Sequence, residues 1–178
     1  FNPLYKAMLN AEKAVLNSGV AAYALRAGFV YGGGSSGLQE IAELLKRGRA
    51  VLSGSGHAGW IHEDDLVAAV ALLVTKDFDD AGSSTIYNVV DDNPVTANAF
   101  MDAFGEAFGV GAPAKSASVL NKWTVSNIQR ELLQDSAQPS NARIKADLGW
   151  APQHAGQASG LERMLMSWRA AEATAQEA

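Results

Sequence analysis

The chain contains no cysteine. That removes disulfides, thiolate nucleophiles and thiolate metal sites, and it fits a reducing cytoplasm, the compartment expected here. Long apolar runs are also missing: stretches such as Leu66–Val74 fall far short of a membrane span, and no charged start followed by an apolar segment marks a signal peptide. Positive charge is scarce and scattered, with 14 Lys and Arg against 19 Asp and Glu for a net charge of -5. No basic stripe offers itself to phosphate backbones, so nucleic acid is excluded as an expected partner. Only three histidines occur, His57, His62 and His154, and their linear spacing matches no metal motif. Asp77, Asp79 and Asp80 lack the terminal Glu of a calcium loop, and no G-x-S-x-G elbow supports hydrolase chemistry. No metal is expected.

What remains is a chain of 178 residues, 48% hydrophobic, large enough for one domain with a core. Leu4–Asn17 carries Leu4, Met8, Ala11, Val15 and Leu16 at helical spacing, with Pro3 at the entrance and Gly19 after the exit. Val20–Tyr31 is apolar at nearly every position and runs into glycines, as a strand buried on both faces of a parallel sheet does. The pattern predicts further helices over Leu38–Lys46, Glu63–Thr75, Thr96–Phe108, Val119–Leu133, Asn141–Leu148 and Ser159–Ala170, with a fraying end beyond. Strands are expected at Ala50–Ser53 and Thr85–Val90, and a flexible Ser-Gly-Ser-Gly stretch follows the first of these. Alternation of strands and helices predicts an α/β fold.

Gly32, Gly34 and Gly37 form G-x-G-x-x-G between a strand-like and a helix-like run, the layout of a dinucleotide-binding turn. Such a turn requires an acid at the end of the next strand, about 20 residues on, to hold the ribose hydroxyls. Here that place holds Ser53, Gly54, Ser55 and Gly56, with no carboxylate before Glu63. The motif therefore reads as a flexible loop rather than a phosphate cradle.

Four landmarks occur in order: Ala11-Glu12 with Leu25-Arg26 and Val30-Tyr31-Gly32; Trp60-Ile61-His62-Glu63-Asp64-Asp65-Leu66; Tyr87-Asn88-Val89-Val90-Asp91-Asp92 with Pro94-Val95-Thr96; and Leu148-Gly149-Trp150 with Pro152. The ordered set resembles the C-terminal portion of the extended or atypical short-chain dehydrogenase/reductases, the NAD-dependent epimerase/dehydratase family. The resemblance implies the C-terminal part of a Rossmann-type parallel sheet, about residues 1–48 and 62–92, with a small, mostly helical substrate-binding lobe, about residues 49–61 and 93–170. It also implies that the glycine fingerprint and the N-terminal Rossmann half lie upstream of Phe1, which is no initiator Met. The expectation is a piece of a longer polypeptide; a complete α/β domain is disfavoured, since so few buried-type strands would leave a sheet uncovered.

The resemblance carries NAD or NADP as cofactor of the intact protein and a small or carbohydrate-like molecule as substrate. It assigns Ala27, Gly28, Phe29 and Val30 to the nicotinamide side, although Gly28 is equally explained as a bulge. Gly32, Trp60 and His62 would border the substrate, with Trp60 and His62 also readable as core or capping residues. Arg26 reads as an ion-pair residue. No Arg shortly precedes Trp60, where relatives that bind sugar nucleotides carry one.

The family's Tyr and Lys, four residues apart on one helical face, fall in register on Leu4 and Met8, and neither side chain transfers a proton. Tyr5 and Lys6 stand about 100° apart on a helix and cannot replace that pair. Tyr5 is thus either a substitute proton donor or an ordinary surface or interface aromatic. In the resembling family the Leu4–Asn17 helix builds a homodimer, which would use Tyr5, Leu9 and Val15 or Leu16; burial within one subunit explains them equally. Two functions follow: an NAD(P)-dependent oxidoreductase, epimerase or dehydratase with an altered catalytic pair, or a non-catalytic NAD(P)-binding sensor or interaction protein.

Overall fold

The computed structural model describes residues 3–48, 54–75, 84–112 and 136–176. In chain order the elements are α1 (Pro3–Leu16), β1 (Ala22–Ala27), β2 (Phe29–Tyr31), α2 (Ser36–Lys46), β3 (His57–Ala58), β4 (Trp60–His62), α3 (Glu63–Thr75), β5 (Ser84–Val89), β6 (Val95–Thr96), α4 (Ala97–Ala107), α5 (Ala142–Leu148) and α6 (Gln157–Gln176). The architecture is α/β, with parallel strand pairs. The expected strand at Ala50–Ser53 and helix at Val119–Leu133 lie outside the described residues.

The apolar run Val20–Tyr31 is not one uninterrupted strand. β1 pairs in parallel with β5, from Ala22 opposite Ser84 to Ala27 opposite Val89, and β2 pairs in parallel with β4, from Phe29 opposite Trp60 to Tyr31 opposite His62. The change of partner happens at Gly28. Its N–H donates to Val89 O at 3.0 Å, while the N–H of Phe29 donates to Gly59 O at 2.8 Å. A Cβ on Gly28 would lie 2.5 Å from Gly59 O, so the crossing demands glycine. Nor is the run buried throughout: Ala22–Leu25 are half-buried, Arg26 and Ala27 exposed, and Tyr31 fully covered. Among the described residues β1 has one strand neighbour, β5.

Side-chain alternation along β4 separates two cores. Trp60 joins Tyr31, Phe100, Phe104, Leu161 and Met164 on one side, where its ring stacks on Phe100 at 3.8 Å. Ile61 joins Ala69, Leu73, Tyr87, Val89, Ile144 and Trp150 on the other. Thr96 caps α4 through an N–H of Ala99 donating to its Oγ1 at 3.1 Å, a cap worth about 1 kcal/mol. Gly149 ends α5 in the left-handed region, φ 65°, which favours glycine. α6 continues to Gln176 instead of fraying after Ala170, because its Ala, Glu and Gln residues have high intrinsic helix propensity. No described helix is long and apolar enough to cross a membrane.

Candidate functional site

The strand break at Gly28 opens a cavity of about 320 Å³. Ala27, Gly28 and Phe29 line it from the break, His57, Ala58 and Gly59 from β3 and the turn after it, and Asn88, Val90 and Pro139 complete the wall. Glycine is required on both sides, since a Cβ on Gly59 would stand 2.6 Å from Val90 Cγ1 and 2.7 Å from Pro139 Cγ. Arg26 also lines the cavity, but its guanidinium is occupied. Nε donates to Glu12 Oε2 at 2.8 Å and Nη2 to Glu12 Oε1 at 2.7 Å, a bidentate pair that fastens α1 to β1. This pairing holds the Glu12 carboxyl below, and the Arg26 guanidinium above, their ordinary pKa values.

Three of the four residues expected on the nicotinamide side thus meet in one cavity. Val30 does not line it: alternation turns it away from Phe29, and it is exposed. Tyr5 is half-buried on α1, which packs against β1, and is not among the cavity-lining residues. Met8, in register with the family's lysine, is 60% exposed. Nothing local in the sequence marks His57, Asn88 or Pro139 for this cavity. His57 sits in a two-residue strand paired with Thr96, too short to leave a periodic signal, and the others arrive from distant segments.

Gly32 lies beside a different group. The Gly32–Gly34 turn wraps the Glu63 side chain, and the N–H of Gly34 donates to both carboxylate oxygens at 3.3 and 3.1 Å. An amide committed to an internal carboxylate is not presented to a phosphate. Trp60 is buried and donates Nε1–H to Val95 O at 3.2 Å, which ties β4 to β6.

His62, itself buried, belongs to a polar cluster at the start of α3. Its Nδ1 accepts the N–H of Asp64 at 3.2 Å and stands 3.7 Å from Asp64 Oδ2, and its ring centroid is 4.3 Å from that of His154. Burial, then the neighbouring His154, pushes the His62 pKa below its ordinary value, leaving a neutral imidazole near pH 7. Asp65, fully buried, accepts the N–H of Gln153 at 2.7 Å and of His154 at 3.0 Å, while its carbonyl accepts Trp150 Nε1–H at 3.2 Å. That carboxylate pins the segment carrying His154 against α3. Asp91 accepts the N–H of Asn93 at 3.1 Å on Oδ1, and its other oxygen has no partner among the described residues. Burial raises the Asp91 pKa to about 7. Tyr31, buried and close to Asp91 and Asp65, is pushed upward as well.

No protein-family model matches the chain. It is 25% identical over 162 residues to a 3-diazoavenalumate denitrifying reductase from Streptomyces sp., covering 89% of this chain and 52% of the relative. Among solved structures, human epimerase family protein SDR39U1 with NADPH superposes with a TM-score of 0.68 at 19% identity, over 82% of this chain and 48% of that one. The fold is that of the NAD-dependent epimerase/dehydratases. RMD from Pseudomonas aeruginosa complexed with NADPH gives 0.67 at 18% identity, over 96% of this chain and 57% of its own. The Thermotoga maritima UDP-glucose 4-epimerase with UDP-glucose gives 0.67 at 18%, over 94% and 52%. The chain spans about half the length of these relatives, as a C-terminal portion of the epimerase/dehydratase fold does.

Proposed function

We propose that this chain supplies the substrate-side portion of an NAD(P)-dependent oxidoreductase or epimerase acting on a small or carbohydrate-like molecule. The cavity at Ala27, Gly28 and Phe29 carries the reading. Its volume of about 320 Å³ lies at the lower end for ligand pockets, enough for one flat ring and too little for a dinucleotide. The walls suit a ring: Gly28, Gly59, Val90 and Pro139 offer no charge. The phosphates then lie outside the cavity, on an upstream fingerprint, because the Gly34 amide already holds Glu63.

A bound nicotinamide supplies or accepts hydride. The chain's own residues shape the ring's surroundings, exclude water at Gly28, Phe29 and Val90, and hold the proton that accompanies hydride onto a carbonyl oxygen. Two side chains compete for that last role. Tyr5 is the sequence candidate, and His57 lines the cavity. Hydride transfer from NADH and NADPH to a carbonyl panel, measured on the intact gene product, tests the reading. Activity surviving Tyr5→Phe but lost in His57→Ala would assign the proton to His57; the opposite pattern would restore Tyr5.

The exposed Met8, at the family's lysine position, favours a second reading: a non-catalytic NAD(P)-binding sensor. Tight cofactor binding with no turnover of any carbonyl would select it. The exposed Met8, Leu9 and Val15 on α1 support a homodimer on that face, to be measured as solution mass before and after Leu9→Glu.

A further inference from the structure

We propose that His62, Asp64 and His154 form a binding site for a divalent metal ion of borderline softness, of the Zn²⁺ and Co²⁺ class. Each offers one ligand atom, and the three atoms lie within 4.8 Å of one another. Two imidazoles and one carboxylate are a donor set for Zn²⁺ or Co²⁺ rather than Mg²⁺ or Ca²⁺, which take oxygen.

The ligand atoms already lie close together. Because Nδ1 of His62 accepts the Asp64 N–H, it carries a lone pair and not a proton. Nδ1 stands 3.7 Å from Asp64 Oδ2, and a bound ion would take over the lone pair that now accepts the Asp64 N–H. Metal bonds of about 2.0–2.1 Å at a tetrahedral angle separate two ligand atoms by about 3.4 Å, so little movement brings an ion between them. The ring is almost wholly buried, 1% exposed, and its other nitrogen has no hydrogen-bond partner among the described residues.

The support around the ligands is equally specific. Asp65 fixes the backbone at His154 through two amide bonds, the kind of outer contact that orients a metal ligand. The amides at the start of α3 oppose a cation, and Glu63, Asp64 and Asp65 in the first turn offset them. Asp64 and His154 are partly exposed, which leaves an entry path and room for water in the remaining positions. Arg163 competes, its Nε 3.2 Å from Asp64 Oδ2.

The test is titration of the tag-free full chain with Zn²⁺ by calorimetry and with Co²⁺ by visible absorption. One equivalent should bind, with the d–d bands of a low-coordinate site containing nitrogen. His154→Ala should weaken binding at least about tenfold. Arg163→Gln, an exposed change, should strengthen it by removing the competing cation. An absent Co²⁺ spectrum would overturn the proposal. So would an ion whose affinity ignores His154→Ala, since that ion is adventitious. Should His154→Ala fail to fold, an unchanged affinity in Arg163→Gln would overturn it alone.

Discussion

The Asp91 carboxyl makes the folded chain less stable as pH rises. It is 4% exposed, accepts one N–H from Asn93, and leaves its second oxygen unpartnered among the described residues, so burial raises its pKa to about 7. In the unfolded chain an aspartate titrates near 3.9. Between those values the folded state binds the extra proton, and stability falls with rising pH until the folded carboxyl has ionised. Each tenfold change in proton affinity is worth about 1.4 kcal/mol, which caps the loss at about 4 kcal/mol; relaxation and water penetration around a buried charge reduce that to about 2 kcal/mol. Asp91→Asn keeps an oxygen for the Asn93 amide and cannot ionise. Urea unfolding of the full chain and the variant at pH 4 and pH 8 measures the difference. Near pH 4 the two should agree closely, and at pH 8 the variant should be more stable by about 2 kcal/mol. Parallel curves, or a wild-type advantage that grows with pH, would refute the burial argument.

Other consequences can be checked on the same material. Asp65→Ala removes the acceptor for the Gln153 and His154 amides and should cost at least about 3 kcal/mol in denaturant unfolding, the lower value for two hydrogen bonds to a charged group. Gly160→Leu should destabilise by at least about 1–3 kcal/mol, because even a Cβ there overlaps the Tyr31 ring; a neutral result in thermal unfolding would contradict the packing of α6 on β2. Gly28→Ala should likewise lower the melting temperature, as its Cβ meets Gly59 O. Calorimetric titration of the 178-residue chain with NADH or NADPH should show weak binding or none; micromolar affinity would place a phosphate site inside it.

Local pattern was enough for several of the described helices. α1, α3 and α4 appear within a residue or two of where apolar spacing, first-turn acids and the Thr96 cap put them, since those signals act over a single turn. Short strands were not legible in this way. β3, β4 and β6 hold two or three residues each, and their pairing is decided by segments far along the chain. The site shows the same division. Ala27, Gly28 and Phe29 share a cavity because they are neighbours in sequence, whereas the partners they find there, His57 and Pro139, depend on the route of the backbone. Asp65 reads locally as a dipole-favouring acid at a helix start, yet its oxygens hold a distant segment. The meeting of His62 with His154 follows from that attachment, and no linear motif encodes it.

In the proposed function the nicotinamide ring lies against Ala27, Gly28 and Phe29, and the Gly32–Gly37 turn holds no phosphate. Cofactor affinity in the intact protein, measured for Ala27→Trp and Gly34→Ala side by side, tests it most directly. Ala27→Trp fills the cavity and should weaken NAD(P) binding at least about tenfold, a loss of about 1.4 kcal/mol, while Gly34→Ala should leave it within about twofold. Weakened binding in Gly34→Ala with unchanged binding in Ala27→Trp would contradict the account.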